Sequence, residues 1–196
     1  MSPLPQSDLF SEAPPAPEGF RYQPALISAD EAAALTAELA ALPFAPFNFH
    51  GYLANREVVG FGFRYDYGRR QVTAAPPIPD FLLPLRAKVA AFAGMPTEDF
   101  VQVLINLYRP GAGIGWRRDK SQFGTVAGVS LGAPCLLRFR RKAGASWARL
   151  SARVEPGSAY LLTGPARHDW EHSISPLDEQ RCSITFRTLA AKVADG

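Results

Sequence analysis

Arg181-Cys182-Ser183-Ile184-Thr185-Phe186-Arg187 alternates two kinds of side chain. In an extended strand Cys182, Ile184 and Phe186 fall on one face, and Arg181, Ser183, Thr185 and Arg187 on the other. The first face suits packing. The second carries two guanidinium groups and two hydroxyls, and inside a β structure buried cations need partners. Six residues of extended chain set the two arginine Cα atoms about 20 Å apart. Two long side chains leaning together can close most of that gap and clamp a small dianion with paired N–H donors. The pattern equally suits two snorkelling arginines on a solvated edge strand, and alternation alone does not choose.

Working outward, the second half of the chain is β throughout. Residues 100–108, 125–131, 135–141, 147–154, 158–163 and 181–189 are strand-like runs separated by Gly/Pro turns. Residues 20–27 read as a short strand. Ser28-Ala-Asp-Glu31 is a capping-box start for a helix that Pro43 stops after Leu42. A second helix is expected over residues 80–92, with Gly94 as its C-terminal stop. Residues 44–67 are rich in aromatics, and Phe61, Phe63, Tyr65 and Tyr67 alternate at a strand period. Two early helices followed by many short strands predict an α+β fold, mainly β: a sandwich or open barrel with the helices on one side. Residues 1–19, rich in Pro, Ser and acidic groups, read as a loosely ordered leader, and residues 20–196 as a single domain.

Bulk composition bounds the partners. A chain of 196 residues with 47% hydrophobic and 20% charged residues has the balance of a globular protein. No stretch reaches the apolar length of a membrane span, and the N-terminus lacks a basic end followed by an apolar core. The expectation is a cytoplasmic protein without a membrane partner, a monomer with no obligate protein partner. Cys135 and Cys182 lie in strand-like runs without metal-binding spacing and read as structural thiols. Charge is uneven: residues 1–100 carry 7 Lys and Arg against 11 Asp and Glu, net −4, and residues 101–196 carry 14 against 7, net +7. A basic half suits a polyanionic partner. Arg138, Arg140, Arg141 and Lys142, at one end of an expected hairpin, suit a phosphate backbone or a solvated turn.

Three segments carry a family pattern. Asn106-Leu-Tyr-Arg-Pro-Gly-Ala-Gly-Ile-Gly-Trp-Arg-Arg-Asp119, Trp170-Glu-His-Ser-Ile174 and the closing run Arg181–Arg187 together resemble the AlkB-type Fe(II)/2-oxoglutarate dioxygenases. The metal motif of that family is His-x-Asp followed further along by a second His. Ser130-Leu-Gly132, Pro156-Gly-Ser158 and Thr163-Gly-Pro-Ala-Arg-His-Asp-Trp-Glu-His172 are further landmarks, and the resemblance runs from about residue 44 to residue 189. It implies a double-stranded β-helix (jelly-roll) core with N-terminal helices packed on one side. Its implied cofactors are Fe(II) and 2-oxoglutarate, with O2 as co-substrate. The implied activity is oxidative dealkylation of alkylated nucleic-acid bases. By the same resemblance, Asn106, Tyr108, Arg181 and Arg187 hold 2-oxoglutarate, and Asp119 and His172 are metal ligands. Arg56, Phe61, Tyr65 and Trp116 fall where the family meets its substrate.

The pattern breaks at Arg117, which stands where the family has its first ligand histidine. A guanidinium is cationic at any relevant pH, has no lone pair to donate and repels Fe(II). In an extended chain Arg117 and Asp119 share a face, so the guanidinium can pair with Asp119 and fill the metal's space. His50, in the aromatic segment, and His168, read as loop surface, are no evident substitutes. Three readings follow: a dioxygenase impaired by Arg117, an inactive pseudoenzyme that still binds nucleic acid or 2-oxoglutarate, and an altered form of an active enzyme.

Overall fold

Ser28 opens the first helix, α1 (Ala29–Ala40). Its hydroxyl accepts from the Glu31 backbone N–H, and the Glu31 carboxylate accepts from the Ser28 N–H, so two helix-end donors are satisfied reciprocally. The second helix is shorter than expected. Asp80–Leu82 forms a separate 3-10 turn, and α2 spans Leu83–Ala93 with Pro84 in its first turn, where the missing N–H costs least. Gly94 ends α2 in the left-handed conformation, φ 71°. The computed structural model describes residues 16–49, 52–66 and 71–190.

The strands are β1 (Phe20–Gln23), β2 (Ala45–Phe49), β3 (Tyr52–Phe61), β4 (Phe63–Asp66), β5 (Gln71–Ala74), β6 (Gln102–Tyr108) and β7 (Ile114–Arg117). There follow β8 (Phe123–Gly132), β9 (Cys135–Ala143), β10 (Ser146–Val154), β11 (Ala159–Leu162), β12 (Glu171–Ile174) and β13 (Arg181–Leu189), with a short helix α3 (Gly164–His168) after β11. They build a large sheet ordered β1-β11-β8-β13-β6-β3-β2, a small sheet ordered β10-β9-β12-β7, and a β4-β5 ribbon. The two sheets make the jelly-roll core expected from the sequence, mainly β with the helices on one side.

Alternation along each strand creates two cores. On one face of the large sheet Val103, Ile105, Val129, Ile184 and Phe186 pack with Leu85, Val89 and Phe92 of α2 and with Leu39 of α1. Between the sheets Tyr108, Val126, Leu137, Phe139, Tyr160 and Leu162 form the second. β13 is buried on both faces, which settles its arginines as interior groups rather than edge residues.

Three expectations change. The first strand ends at Gln23 rather than continuing to residue 27. The aromatic alternation over residues 61–67 is not one strand, because Gly62 turns the chain at φ 78° between β3 and β4. The strands β2, β3, β5, β7 and β12 and the helix α3 were not expected. Residues 16–19, counted in the leader, are tied to the fold: Pro17 is buried, and the Ala166 N–H donates to the Glu18 carbonyl. No helix among the described residues is long and apolar enough to cross a membrane.

Candidate functional site

A cavity of about 350 Å³ opens between the sheets, lined by inward positions of both. Arg56 from β3, Asn106 and Tyr108 from β6, Ser183, Thr185 and Arg187 from β13, and His172 from β12 all face it. Arg117 and Asp119 line it from β7 and the loop that follows. The sequence-derived residues on these elements therefore converge on one space.

At one end Asp119 is the centre of a charged cluster. Its Oδ1 accepts from Arg187 Nη2 at 2.8 Å, and its Oδ2 lies 3.9 Å from His172 Nε2. Burial alone would raise the Asp119 pKa, but Arg187 above all outweighs it and holds the carboxyl well below the usual carboxylate range. His172 moves the other way. Burial lowers its pKa, Asp119 opposes, and Arg117, Arg187 and Arg167 add to the lowering, so the imidazole is neutral at pH 7. Arg187 also donates from Nη1 to Gln102 Oε1 at 2.9 Å. Arg187 thus engages Asp119 and Gln102 with its two Nη atoms, while its Nε has no hydrogen-bond partner among the described residues.

The loop carrying Asp119 is held by Arg167, which the sequence reading did not select. Its guanidinium donates to the carbonyls of Gly124 (2.8 Å), Asp119 (3.3 Å), Lys120 (2.6 Å) and Phe123 (2.5 Å). Its neighbour His168 is exposed at the end of α3, as expected of loop surface. His50 lies outside the described residues.

Arg117 faces the cavity because β7 contains a register shift. Arg117 pairs with His172 and Ile114 with Ile174, so Gly115 and Trp116 together stand opposite the single residue Ser173. The extra residue reverses the alternation. Arg117 is turned inward beside His172, and Trp116 outward, where Arg138 and Arg140 stack over its ring at 5.3 and 4.6 Å. Trp116, expected to contact substrate in the cavity, belongs instead to the outer face of the small sheet. Phe61 is likewise corrected: Arg56, Val58 and Gly60 take the inward positions of β3, which leaves Phe61 in the helix-side core. The Tyr65 side chain lies outside what the structure describes.

Arg181, at the start of β13, does not line the cavity and is fully buried at 0% exposure. Its Nε donates to Ser130 Oγ at 3.1 Å, and its guanidinium lies over the Tyr108 ring at 5.2 Å. Nη1 and Nη2 have no hydrogen-bond partner among the described residues. Next to it, Arg56 donates from Nε to Asn106 Oδ1 at 3.1 Å. Burial raises the Tyr108 pKa, and the charges of Arg181, Arg56 and Arg117 pull against that rise, so all three guanidinium groups act on one phenol.

These residues fit one of the expected cofactors and not the other. Arg181 has two buried donors, Nη1 and Nη2, without an acceptor among the described residues, and a carboxylate such as those of 2-oxoglutarate would satisfy them. Iron does not fit. A facial triad needs three protein ligands, and no group of three or more His, Cys, Asp or Glu suited to a metal exists among the described residues. Asp119 and His172 are two such donors, and Arg117 lines the same cavity beside them.

Comparison with known proteins bears on this geometry. Residues 19–187 match the model of the 2OG-Fe(II) oxygenase superfamily. The chain belongs to that superfamily. It is 28% identical over 146 residues to the "Alkylated DNA repair protein ALKBH8 homolog" of Arabidopsis thaliana, a match covering 62% of this chain and 42% of that protein. The chain therefore spans less than half the length of this curated relative. Among solved structures it is similar to that of OsALKBH1, with a TM-score of 0.65 at 16% identity over 90% of this chain and 98% of the other. A Pseudomonas putida prolyl-4-hydroxylase gives a TM-score of 0.61 at 15% identity, covering 88% and 93%. These structural likenesses are of fold.

Proposed function

We propose that this oxygenase-family chain acts on nucleic acid carrying alkylated bases, as an AlkB-like 2-oxoglutarate-dependent dioxygenase whose oxidative dealkylation is impaired as it stands. One observation carries the impairment: Arg117 sits opposite His172 in the β7–β12 register, at the place of the missing ligand. The rest of the site supports an oxygenase origin, since Asp119, His172, Arg187, Asn106 and Tyr108 line one cavity and Arg181 lies over the Tyr108 ring. Asp119 and His172 are the two metal donors that remain, and Arg181 is placed to anchor the co-substrate. Two features support a nucleic-acid partner: the name of the curated relative and the basic outer face of the small sheet. On that face Arg140 and Lys142 stack over Trp147 at 4.3 and 4.7 Å.

Replacing Arg117 by His tests the reading. The R117H protein should bind Mn(II) anaerobically at least about tenfold more tightly than the parent chain, since loss of even second-shell support costs roughly 10–100-fold. In air with Fe(II), 2-oxoglutarate and a methylated oligonucleotide it should release succinate. If neither metal affinity nor succinate rises, the impaired-enzyme reading is wrong. The alternative, a pseudoenzyme retained for binding nucleic acid or 2-oxoglutarate, then stands, favoured by a cation in the place of a ligand.

A further inference from the structure

We infer that the outer face of the small sheet is a nucleic-acid site separate from the cavity, one that holds an unmodified single strand by its phosphates and bases. The inference rests on the nucleic-acid partner of the reading above but not on its oxidation chemistry.

The argument starts from the two sides of the sheet. Leu137 of β9 and His172 and Ile174 of β12 line the cavity. Arg138, Arg140 and Lys142 of β9 alternate with the inward residues and therefore face away, as do Glu171 and Ser173 of β12. The register shift in β7 turns Trp116 to the same side. At the opposite edge Trp147 pairs with Lys142 and Arg149 with Arg140, which brings β10 onto that face too. A strand lying there is separated from the cavity by the sheet itself. The nucleotides that it contacts are not the ones that enter the cavity.

Cations and indoles alternate in one row. Arg138 lies over Trp116 at 5.3 Å, Arg140 over Trp116 at 4.6 Å and over Trp147 at 4.3 Å, and Lys142 over Trp147 at 4.7 Å. The row is fixed before any ligand arrives. Arg138 donates from Nε to Ser173 Oγ at 3.1 Å, and Arg140 from Nε to Glu171 Oε2 at 2.6 Å. Their Nη atoms make no hydrogen bond among the described residues, and both side chains are half-buried rather than enclosed. A guanidinium held through Nε and stacked on an indole keeps its outer N–H donors for a phosphate and loses little freedom on binding one. Arg149 is exposed and makes no hydrogen bond or ion pair among the described residues.

Charge and planarity together choose the partner. Against Arg138, Arg140, Lys142 and Arg149 stands the carboxylate of Glu171, already engaged by Arg140, so the face keeps a positive excess suited to a polyanion. Indole and guanidinium planes add a preference for a polyanion with open flat surfaces. A duplex buries its base faces in its own stack and offers phosphates alone. A single strand offers both, and base stacking on such planes tolerates any sequence.

The experiment is fluorescence anisotropy of a labelled, unmodified oligothymidylate titrated with the full chain over a series of salt concentrations. The expected result is binding that quenches tryptophan emission, with a duplex of the same length and inorganic polyphosphate each at least fivefold weaker. A methylated oligonucleotide should bind within about twofold of the unmodified one. Arg138→Gln combined with Arg140→Gln should weaken binding at least tenfold. Arg149→Gln, at an exposed position that tests the inference even if the double variant fails to fold, should lower the slope of log affinity against log salt by about 0.7, one phosphate contact on a single strand. No binding of the oligothymidylate overturns the inference, as does an unchanged slope in Arg149→Gln. Equal binding of polyphosphate or duplex overturns it as well. A preference of tenfold or more for the methylated oligonucleotide would assign binding to the cavity and overturn it too. Succinate release by R117H is a separate readout, so the dioxygenase reading and this one can fail independently.

Discussion

Arg167 donates to four backbone carbonyls of the loop from Asp119 to Gly124 and so fixes a carboxylate 48 residues earlier in the chain. No sequence pattern announces such a role, because the acceptors are main-chain oxygens that every residue possesses. The closing strand was legible for the opposite reason: Arg181, Ser183, Thr185 and Arg187 differ in kind from Cys182, Ile184 and Phe186, and an unbroken strand preserves that contrast. How the two arginines divide their work was not legible, since it depends on Gln102 and Asp119 arriving from other elements. Arg167→Ala should leave four carbonyls without their donor and cost about 3 kcal/mol or more in urea unfolding, from roughly 1–3 kcal/mol per unsatisfied buried group. Arg167→Lys should recover little of it, because an ammonium lacks the planar fork. A loss below about 1 kcal/mol for the alanine variant would contradict the bracing role.

At the level of elements, α1, α2 and the long strands after residue 100 followed from capping, stop signals and alternation, β3 and α3 did not, and two errors fall where one residue interrupts a period. Gly62 interrupts the aromatic run: a Cβ there would approach the Val101 carbonyl oxygen to 2.0 Å at a φ of 78°. In β7 the interruption is the register shift at Gly115 and Trp116, which gave Trp116 and Arg117 the reverse of the facing that simple alternation assigns relative to Ile114. The two glycines should respond oppositely to alanine. Gly62→Ala should destabilise by more than about 2 kcal/mol through strain and a backbone clash. Gly115→Ala, with nothing within 4 Å of its added Cβ, should stay within about 0.5 kcal/mol. Thermal or urea unfolding of the pair decides the point, and equal effects would refute the difference in local geometry.

Across the whole molecule, the charge asymmetry visible in the sequence becomes spatial. The basic half supplies all of the small sheet and four strands of the large one, and the small sheet's outer face carries Arg138, Arg140 and Lys142 with Trp116 and Trp147, while Glu171 pairs with Arg140 at 2.6 Å. Composition gave the sign of that surface but not its layout, which needs the β9–β10 and β9–β12 pairings. Arg149 pairs with Arg140 across β9–β10 and shares that face, so reversing Lys142 and Arg149 together to Glu should weaken binding of a fluorescent single-stranded oligonucleotide at least tenfold and flatten its salt dependence. Unaltered oligonucleotide affinity would contradict the proposed nucleic-acid surface. The division into two cores has a historical consequence as well. Among the described residues the helix-side core contains none that lines the cavity, so that half of the scaffold stands on groups indifferent to what the cavity holds. A lineage can therefore change the polar groups of the cavity and keep this half of its shape. Selection for folding the helix-side half does not guard those groups.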